Sequence, residues 1–203
     1  MIVKMEMNKR NSYSRERLNV RADEGGEMVI EGYFAVFGQE TRIFDRYYEQ
    51  IGRGAFDNSL KNNDIRCLFN HDDGIVLGRM GNGTLSLRAD DHGLFGTVKI
   101  NPNDSAAKDI YERVKRGDIS GCSFGFYPVT EQCEERMDGA HVTVTEADTA
   151  EVSICTFPAY EGTEISARKR DFEANQKEAA KRKRAALKSR LEGIKHGSNG
   201  INT

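Results

Sequence analysis

Nine residues decide how this chain is interpreted: Gly121-Cys122-Ser123-Phe124-Gly125-Phe126-Tyr127-Pro128-Val129. The first five match G-x-S-x-G, the pattern of the nucleophile elbow in α/β-hydrolases, where a tight strand-to-helix turn presents the serine. An elbow requires a helix directly after the serine. Here the following residues are aromatic or β-branched and include a proline, which indicates a strand that ends near Val129. The sequence therefore predicts a serine that is presented on a β-strand.

Side chains on such a strand alternate between the two faces of a sheet. Cys122, Phe124 and Phe126 share one face, and their apolar character predicts that this face packs on the core. Ser123 lies on the other face between two glycines, where a peptide backbone can approach closely. Because glycine-flanked serines are also common in strands without any chemical role, this pattern alone does not establish a nucleophile.

Strand patterns dominate the chain on both sides of this segment. Alternating or apolar runs between Gly, Asn and Asp turns predict strands at 18–22, 28–37, 43–51, 65–71, 76–80, 84–89, 94–100, 119–129 and 150–157, with a hairpin over 133–146. A short helix is expected within 52–63. A longer helix is predicted to begin after Asn103 or Asp104 and to end at Gly117, because the residues between them repeat an apolar stripe at helical spacing. These elements predict a mainly β, barrel-like domain with peripheral helices.

Three parts are predicted along the chain: a flexible arm over 1–14, the β domain over 15–167, and a basic tail over 168–203 that is helical or disordered. Between Arg168 and Arg190 there are ten Lys or Arg and three Asp or Glu, an excess of seven positive charges. Because the whole chain has a net charge of −2, the remainder carries −9. An acidic body with a basic tail indicates an electrostatic tether to a partner, and a solvated tail without a partner fits the charge equally well.

Composition and length narrow the class of protein. The 203 residues contain no apolar run near the ~20 that a membrane helix needs and no signal-peptide pattern, so we expect no membrane partner and no export. The four cysteines show no CxxC pair, which predicts free, mostly buried thiols; they are Cys67, Cys122, Cys133 and Cys155. The tail has a single aromatic residue, Phe172, for base stacking, and nucleic acid is therefore not an expected partner.

Two more residues have the chemistry to work with Ser123. His71 ends an apolar strand just before the turn Asp72-Asp73-Gly74, where the backbone is fixed and an imidazole stays accessible as a general base. Glu151 opens an apolar strand, where a carboxylate is costly to bury unless it is paired. Pairing it with an imidazole N–H would satisfy the carboxylate and fix the tautomer. Asp148 is the alternative acid, and an ordinary turn histidine with a solvated edge glutamate is the alternative to any catalytic role.

Two other hydrolase chemistries stay open at this point. A cysteine hydrolase would use Cys122 with His71, but alternation places that thiol on the phenylalanine face, where it ionises poorly. A metal-dependent hydrolase would draw on turn residues that lack a recognised ligand spacing, namely His71, Asp72, Asp73, Asp90, Asp91 and His92. No metal and no cofactor is expected. The remaining histidines are expected at the surface; they are His92, His141 and His196.

Taken in order, three segments resemble the signature of the tailed-phage prohead (capsid maturation) serine proteases. They are Phe69-Asn70-His71-Asp72, Ile119-Ser120-Gly121-Cys122-Ser123-Phe124-Gly125-Phe126, and Glu151-Val152-Ser153-Ile154 followed by Pro158-Ala159-Tyr160. Two upstream segments match the opening of that family, Glu31-Gly32-Tyr33-Phe34-Ala35-Val36-Phe37 and Gly52-Arg53-Gly54-Ala55-Phe56. The resemblance covers about residues 15–167.

This resemblance implies a serine endopeptidase with a fold similar to the herpesvirus assemblins, a closed or partly open β-barrel with peripheral helices. It implies Ser123 as nucleophile, His71 as general base, and Glu151 in the place of the second histidine of the herpesvirus enzymes. A carboxylate orients an imidazole at least as well. The herpesvirus enzymes also have an arginine pair that helps to build the oxyanion hole. Here residues 158–162 follow instead, and backbone N–H groups in that loop could serve as donors, although the sequence does not indicate which ones.

The family's role implies where such an enzyme acts and on what. It is packaged inside the assembling prohead in the host cytoplasm, digests scaffold protein or the scaffolding segment of the major capsid protein, and destroys itself. The resemblance thus implies a homo-oligomeric enzyme whose basic tail binds acidic scaffold or is removed by autoproteolysis. The alternative is a catalytically inactive capsid-assembly or scaffold-associated protein of the same fold, and the presence of Ser123, His71 and Glu151 argues against it.

Overall fold

A computed structural model describes residues 10–14, 17–22 and 27–157, together with residues 177, 181, 184, 185, 187 and 188. The chain divides into two compact units, Met1–Glu161 and Gly162–Thr203. In the second unit the described residues are helical and exposed. Residues 1–9 of the predicted arm, which covers 1–14, and most of the predicted tail lie outside the described residues. No described helix is long and apolar enough to cross a membrane.

The described part of the first unit consists of strands, two helices and one 3₁₀ turn. The strands are β1 (Arg10–Ser14), β2 (Asn19–Ala22), β3 (Met28–Val36), β4 (Thr41–Phe44), β5 (Tyr47–Ile51), β6 (Arg66–Phe69), β7 (Asp72–Arg79), β8 (Leu85–Ala89), β9 (Gly93–Ile100), β10 (Gly121–Arg136) and β11 (Gly139–Cys155). The helices are α1 (Asp57–Asn62) and α2 (Ser105–Arg116), and the 3₁₀ turn covers Met80–Asn82. The prediction of a mainly β domain with a few helices is confirmed.

The strands form two sheets that are not closed into a barrel, which corrects the prediction of a closed or partly open barrel. The larger sheet has the order β1-β10-β11-β5-β4, with β6 and β7 added alongside β11, and the smaller has the order β2-β3-β9-β8. A barrel needs a continuous ladder between sheet edges. Among the described strands one isolated bridge, Phe37 to Ile51, joins the two sheets, and Gly38 then turns the chain away with φ 68°. The edges stay open, and the two sheets share one hydrophobic core.

The strand that carries Ser123 is longer than predicted. β10 continues through Pro128 to Arg136, and its antiparallel partner β11 runs without a break from Gly139 to Cys155. Proline cannot donate to a ladder, but register shifts between Pro128 and Glu131 absorb the irregularity. Two other segments also differ: a turn at residues 45–46 divides the predicted strand 43–51 into β4 and β5, and Arg10–Ser14 forms β1 in place of a flexible arm.

Helix α2 forms as the sequence predicts. The side chain of Asp104 caps it by accepting the N–H groups of Ala106 and Ala107, and Gly117 ends it in the left-handed conformation, φ 89°. Its apolar stripe is buried, comprising Ala107, Ile110, Tyr111 and Val114.

The core confirms the predicted inner face of the serine strand. Cys122, Phe124 and Phe126 are all buried. The Phe124 ring packs edge-to-face on Phe56 at 5.2 Å between centroids and stacks on Phe126 at 5.0 Å. Packing on this face fixes the position of the strand and, with it, the direction in which Ser123 points on the opposite face.

His141, predicted at the surface, is buried at the hairpin end of β11 with 6% of its area exposed. Its Nδ1 lies 2.7 Å from Glu40 Oε1, its Nε2 lies 3.0 Å from Asp138 Oδ1, and its ring stacks on Tyr48. The hydrogen bond to Glu40 and that to Asp138 raise the pKa of His141, against the opposing effects of burial and of Arg136. The polar alternation of this strand does not reveal this burial, because one carboxylate partner, Glu40, lies 101 residues away in sequence, while Asp138 lies three residues before His141.

We expect the ion pairs of His141 to stabilise the fold at low pH and to weaken as the pH rises. A raised pKa in the folded state means that the stabilisation is complete below the unfolded value of about 6.5 and is lost as the pH rises through the folded value. The difference in free energy of unfolding between wild type and His141→Gln, measured in urea, should therefore shrink from pH 5.5 to pH 8.5. His92→Gln at an exposed histidine is the control, and a His141→Gln difference independent of pH would contradict the expectation.

Candidate active site

Three polar side chains are gathered on one face of the larger sheet by the pairing of β10 with β11. Ser123 lies opposite Ser153, and Gly125 lies opposite Glu151. Directly paired residues share a face, with Cβ atoms about 4.5–5.5 Å apart. Ser123, Ser153 and Glu151 are all buried, so their polar atoms need partners within the protein.

His71 reaches this face because β6 runs parallel to the second half of β11. The strand ends in two residues with left-handed backbone, Asn70 at φ 51° and His71 at φ 61°. Such non-glycine conformations cost about 1–3 kcal/mol each and persist where the surroundings hold them. The Asn70 side chain accepts the Thr156 N–H at 2.9 Å and donates to its hydroxyl, and the Asn70 N–H bonds the Ile154 carbonyl at 2.9 Å. These bonds fasten the turn that carries the imidazole to the end of β11.

The imidazole of His71 is paired with the Glu151 carboxylate. Nδ1 lies 2.8 Å from Glu151 Oε1, and the side chains are 17% and 5% exposed. Because an ionised carboxylate only accepts, this pairing requires Nδ1 to be the donor. The alternative acid, Asp148, accepts a hydrogen bond from the Asn63 side chain at 2.7 Å. Of the two candidate acids, the structure brings Glu151 to the imidazole.

Ser123 lies on the same face as this pair, but its hydroxyl is engaged elsewhere. The hydroxyl donates to the main-chain carbonyl of Ser12 in β1 at 2.8 Å, and the residue is 0% exposed. On the other side, Nε2 of His71 lies 3.9 Å from the Cys155 thiol. Catalytic hydrogen bonds are often long or misaligned without substrate and tighten only in the complex. The face thus holds a hydroxyl, an imidazole and a carboxylate in one sheet, with the hydroxyl bonded to the Ser12 carbonyl.

The cysteines separate into different environments. All four are free, and three are buried while Cys133 is exposed, as expected from the sequence. Cys122 lies on the core face, with its thiol 2.8 Å from the Tyr33 carbonyl, and it is therefore placed away from the face of His71. Burial, followed by the charge of Glu151, raises the pKa of Cys67 well above its ordinary value.

Two residues at this face, Ser153 and Cys155, escaped the sequence-based search. Both lie on alternate positions from Glu151 in β11, so period two alone places them on the same face. The alternation predicts that Ser153 and Cys155 lie on the same face as Glu151. It does not predict that they contact His71, because that contact depends on the pairing of β6 with β11.

The metal site of the alternative hydrolase is not found among the described residues. In the part of the chain that the structure describes, no group of three or more His, Cys, Asp or Glu side chains could hold a metal ion. His92 is exposed. The segment 158–162, considered for the oxyanion hole, and His196 lie outside the described residues.

Comparisons with known proteins agree on one family. Residues 16–178 match the profile of the caudovirus prohead serine proteases. The chain is 30% identical over 149 residues to the prohead protease of Enterobacteria phage HK97, a match that covers 72% of this chain and 62% of that protein. It thus spans less than two thirds of that relative's length. The capsid assembly protease of bacteriophage T4 has a similar fold, with a TM-score of 0.50 and 10% identity, over 73% of this chain and 97% of that one.

Proposed function

Because this chain belongs to the caudovirus prohead serine protease family, we propose that it is a serine endopeptidase in which Ser123 is the nucleophile, His71 the general base and Glu151 the acid that orients the base. The observation that carries this proposal is the 2.8 Å contact between His71 Nδ1 and Glu151 Oε1, on the face of the sheet that also bears Ser123.

The proposed reaction follows from these positions. Nε2 of His71 takes the proton of the Ser123 hydroxyl while Oγ attacks the carbonyl carbon of the scissile peptide bond. Glu151 stabilises the imidazolium that forms. The imidazolium then protonates the leaving amine, and the C–N bond breaks to leave an acyl-enzyme. Water, deprotonated by the same imidazole, hydrolyses the ester and restores the serine.

This reaction requires the Ser123 hydroxyl to exchange its present acceptor. In the resting arrangement its proton goes to the Ser12 carbonyl and Nε2 faces Cys155. A shift in which the hydroxyl turns to Nε2 would complete the catalytic set.

The proposed substrates are segments of scaffold and coat protein inside the assembling prohead, in the cytoplasm of the host, and the chain itself. The names of the relatives support this role, since they are a prohead protease and a capsid assembly protease. We further propose that the active form is a homo-oligomer and that the basic tail binds acidic scaffold before it is removed.

The test is co-expression with the coat protein of the phage that encodes this chain, wild type beside Ser123→Ala. Intact-mass analysis of all products should show shortened coat protein and shortened protease with wild type only. Equal masses with both proteins would refute the proposal and favour an inactive assembly protein.

A further inference from the structure

We propose that Ser153 is a positioning residue that holds the acid and the base of the site in register. This inference rests on the proposed function of Ser123, His71 and Glu151. Ser153 touches neither of the atoms that would react, and its effect passes through the two residues that it holds.

One buried hydroxyl connects both partners. Ser153 Oγ donates to Glu151 Oε2 at 2.7 Å and accepts the main-chain N–H of His71 at 3.2 Å. A hydroxyl has one donor and two acceptor sites, so both bonds are made together. With Oε2 held by Ser153, the other oxygen, Oε1, is directed at Nδ1 of the imidazole.

The position of Ser153 explains why a single hydroxyl suffices. It is fully buried and lies opposite Ser123 in the β10–β11 ladder. Without the hydroxyl, Oε2 and the His71 N–H would each lose this partner in a buried site. The carboxylate would keep its contact with Nδ1 but lose the bond that fixes its other oxygen, and the left-handed turn at residues 70–71 would lose the hydrogen bond from the His71 N–H.

The test compares Ser153→Ala with Ser153→Thr, which retains a hydroxyl, and with Ser59→Ala as a matched control. Ser59 is also buried, and its hydroxyl donates to the Ala147 carbonyl and accepts the Thr149 N–H, away from the imidazole. We expect Ser153→Ala to lower kcat about 10- to 100-fold with little change in KM, since a general base contributes about 10²–10⁴-fold. Ser153→Thr should recover most of this loss, and Ser59→Ala should keep the kcat of wild type. The substrate is a peptide spanning a junction cut during co-expression.

A second readout does not depend on activity. The ¹⁵N shifts of the His71 ring, measured by long-range proton–nitrogen correlation, report which nitrogen carries the proton. They should move toward a mixture of tautomers in Ser153→Ala and stay as in wild type in Ser153→Thr and Ser59→Ala. Unchanged ring shifts and kcat in Ser153→Ala would overturn the inference while Ser123→Ala still tests the proposed function. Peptide cleavage by Ser123→Ala would instead contradict the proposed function. The ¹⁵N shifts of the His71 ring would then still test the positioning role of Ser153.

An independent observation concerns the N-terminal strand, and from it we infer that β1 holds the protein inactive until the strand is displaced. β1 pairs antiparallel with β10 from Arg10 opposite Phe126 to Ser14 opposite Cys122, at the edge of the sheet. It precedes residue 16, where the match to the protease family begins. The strand thus lies directly beside the candidate nucleophile, with Tyr13 opposite Ser123.

The contact blocks the chemistry in two ways. The Ser123 hydroxyl gives its proton to the Ser12 carbonyl oxygen, so that the proton is not directed to Nε2 and the hydroxyl faces the oxygen of that carbonyl. In addition, β1 occupies the hydrogen-bonding edge of β10 beside Ser123, which is 0% exposed. A peptide substrate cannot reach Oγ while the strand is in place.

A buried ion pair secures this strand at its start. The Arg10 guanidinium bonds Glu49 of β5 at 3.2 Å and also contacts Glu131 of β10. A five-residue edge strand has few other ladder bonds, and reversing the charge at Arg10 against two carboxylates should therefore release it without altering β10 near Ser123.

The test is the rate at which a fluorophosphonate labels Ser123 in the full chain. Arg10→Glu, and a chain that lacks residues 1–14, should label at least about tenfold faster than wild type. Arg42→Glu, which breaks the exposed Arg42–Asp45 pair, should label at the wild-type rate. A rate at or below wild type in both released proteins, with wild-type thermal unfolding, would overturn the inference. The hydrogen-exchange rate of the amides of residues 121–126 reports the release of β1 from β10 and does not depend on the reactivity of Ser123. Faster amide exchange with no labelling of Ser123 in any of the proteins, wild type included, would instead count against Ser123 as the nucleophile. Unchanged amide exchange in Arg10→Glu would show that the Arg10 ion pair does not hold the strand, and the chain that lacks residues 1–14 then decides the inference.

Discussion

The Ser123→Ala protein is expected to lose peptide cleavage almost completely, with kcat/KM reduced about 10⁴-fold or more. Among the described residues, Ser153 also presents a hydroxyl on the site face, where it donates to Glu151. Because Ser123 is small and buried on a well-packed strand, alanine should fit without disturbing the fold. The measurement is hydrolysis of the junction peptide, together with the thermal unfolding midpoint of both proteins.

The two cysteines near the site provide the controls for this prediction. Cys122→Ala removes a thiol from the core face, and Cys155→Ala removes the thiol that contacts Nε2 of His71. Both proteins should still cleave the peptide. If Cys155→Ala abolished cleavage and Ser123→Ala spared it, a thiol would be the nucleophile and the assignment of Ser123 would be wrong.

Glu151→Gln should have the second-largest effect, a loss of about 10³- to 10⁴-fold in kcat/KM. A carboxylate only accepts, whereas the amide that replaces it can donate to Nδ1 and thereby hold the imidazole with its proton on Nε2. In that tautomer Nε2 cannot take the serine proton. The substitution keeps the size of the side chain and the acceptor for Ser153, so that the loss reports the tautomer rather than packing.

Asp148→Asn is the matched control for Glu151→Gln, because it changes the other candidate acid in the same strand by the same single atom. Its Oδ1 can still accept from the Asn63 side chain, and cleavage should remain close to wild type. A larger loss in Asp148→Asn than in Glu151→Gln would identify Asp148 as the acid and contradict the geometry around His71.

Much of the fold was predictable because the deciding signals are local. Period-two alternation placed Phe124 on the core face and Ser123 opposite, and capping by Asp104 with a stop at Gly117 defined α2. The family membership predicted from three short segments is confirmed by the match over residues 16–178. The sequence does not show that the sheets stay open, because closure of a barrel depends on whether the sheet edges meet, and no local pattern encodes that.

The candidate site was predictable in its residues more than in its contacts. His71 and Glu151 can be recognised in the sequence because each is an ionisable residue in or at the end of an otherwise apolar strand. Ser153 is not, since a serine among apolar neighbours becomes informative only when β6 has been paired with β11. The strand at Arg10–Ser14 is polar and shows no alternation. This segment forms a strand because it pairs with the edge of β10 and because carboxylates bond Arg10, and all of these partners are distant in sequence.

The pairing of β6 with β11 also constrains synthesis in the host cell. His71 and Glu151 are 80 positions apart, and both halves of β11 pair in parallel with strands made long before it. Contacts of such long sequence separation form late and slowly. A chain still on the ribosome, with β11 not yet translated, has the histidine without its carboxylate. In the mechanism proposed above, the nascent polypeptide therefore lacks an oriented base until β11, which ends at Cys155, has been translated.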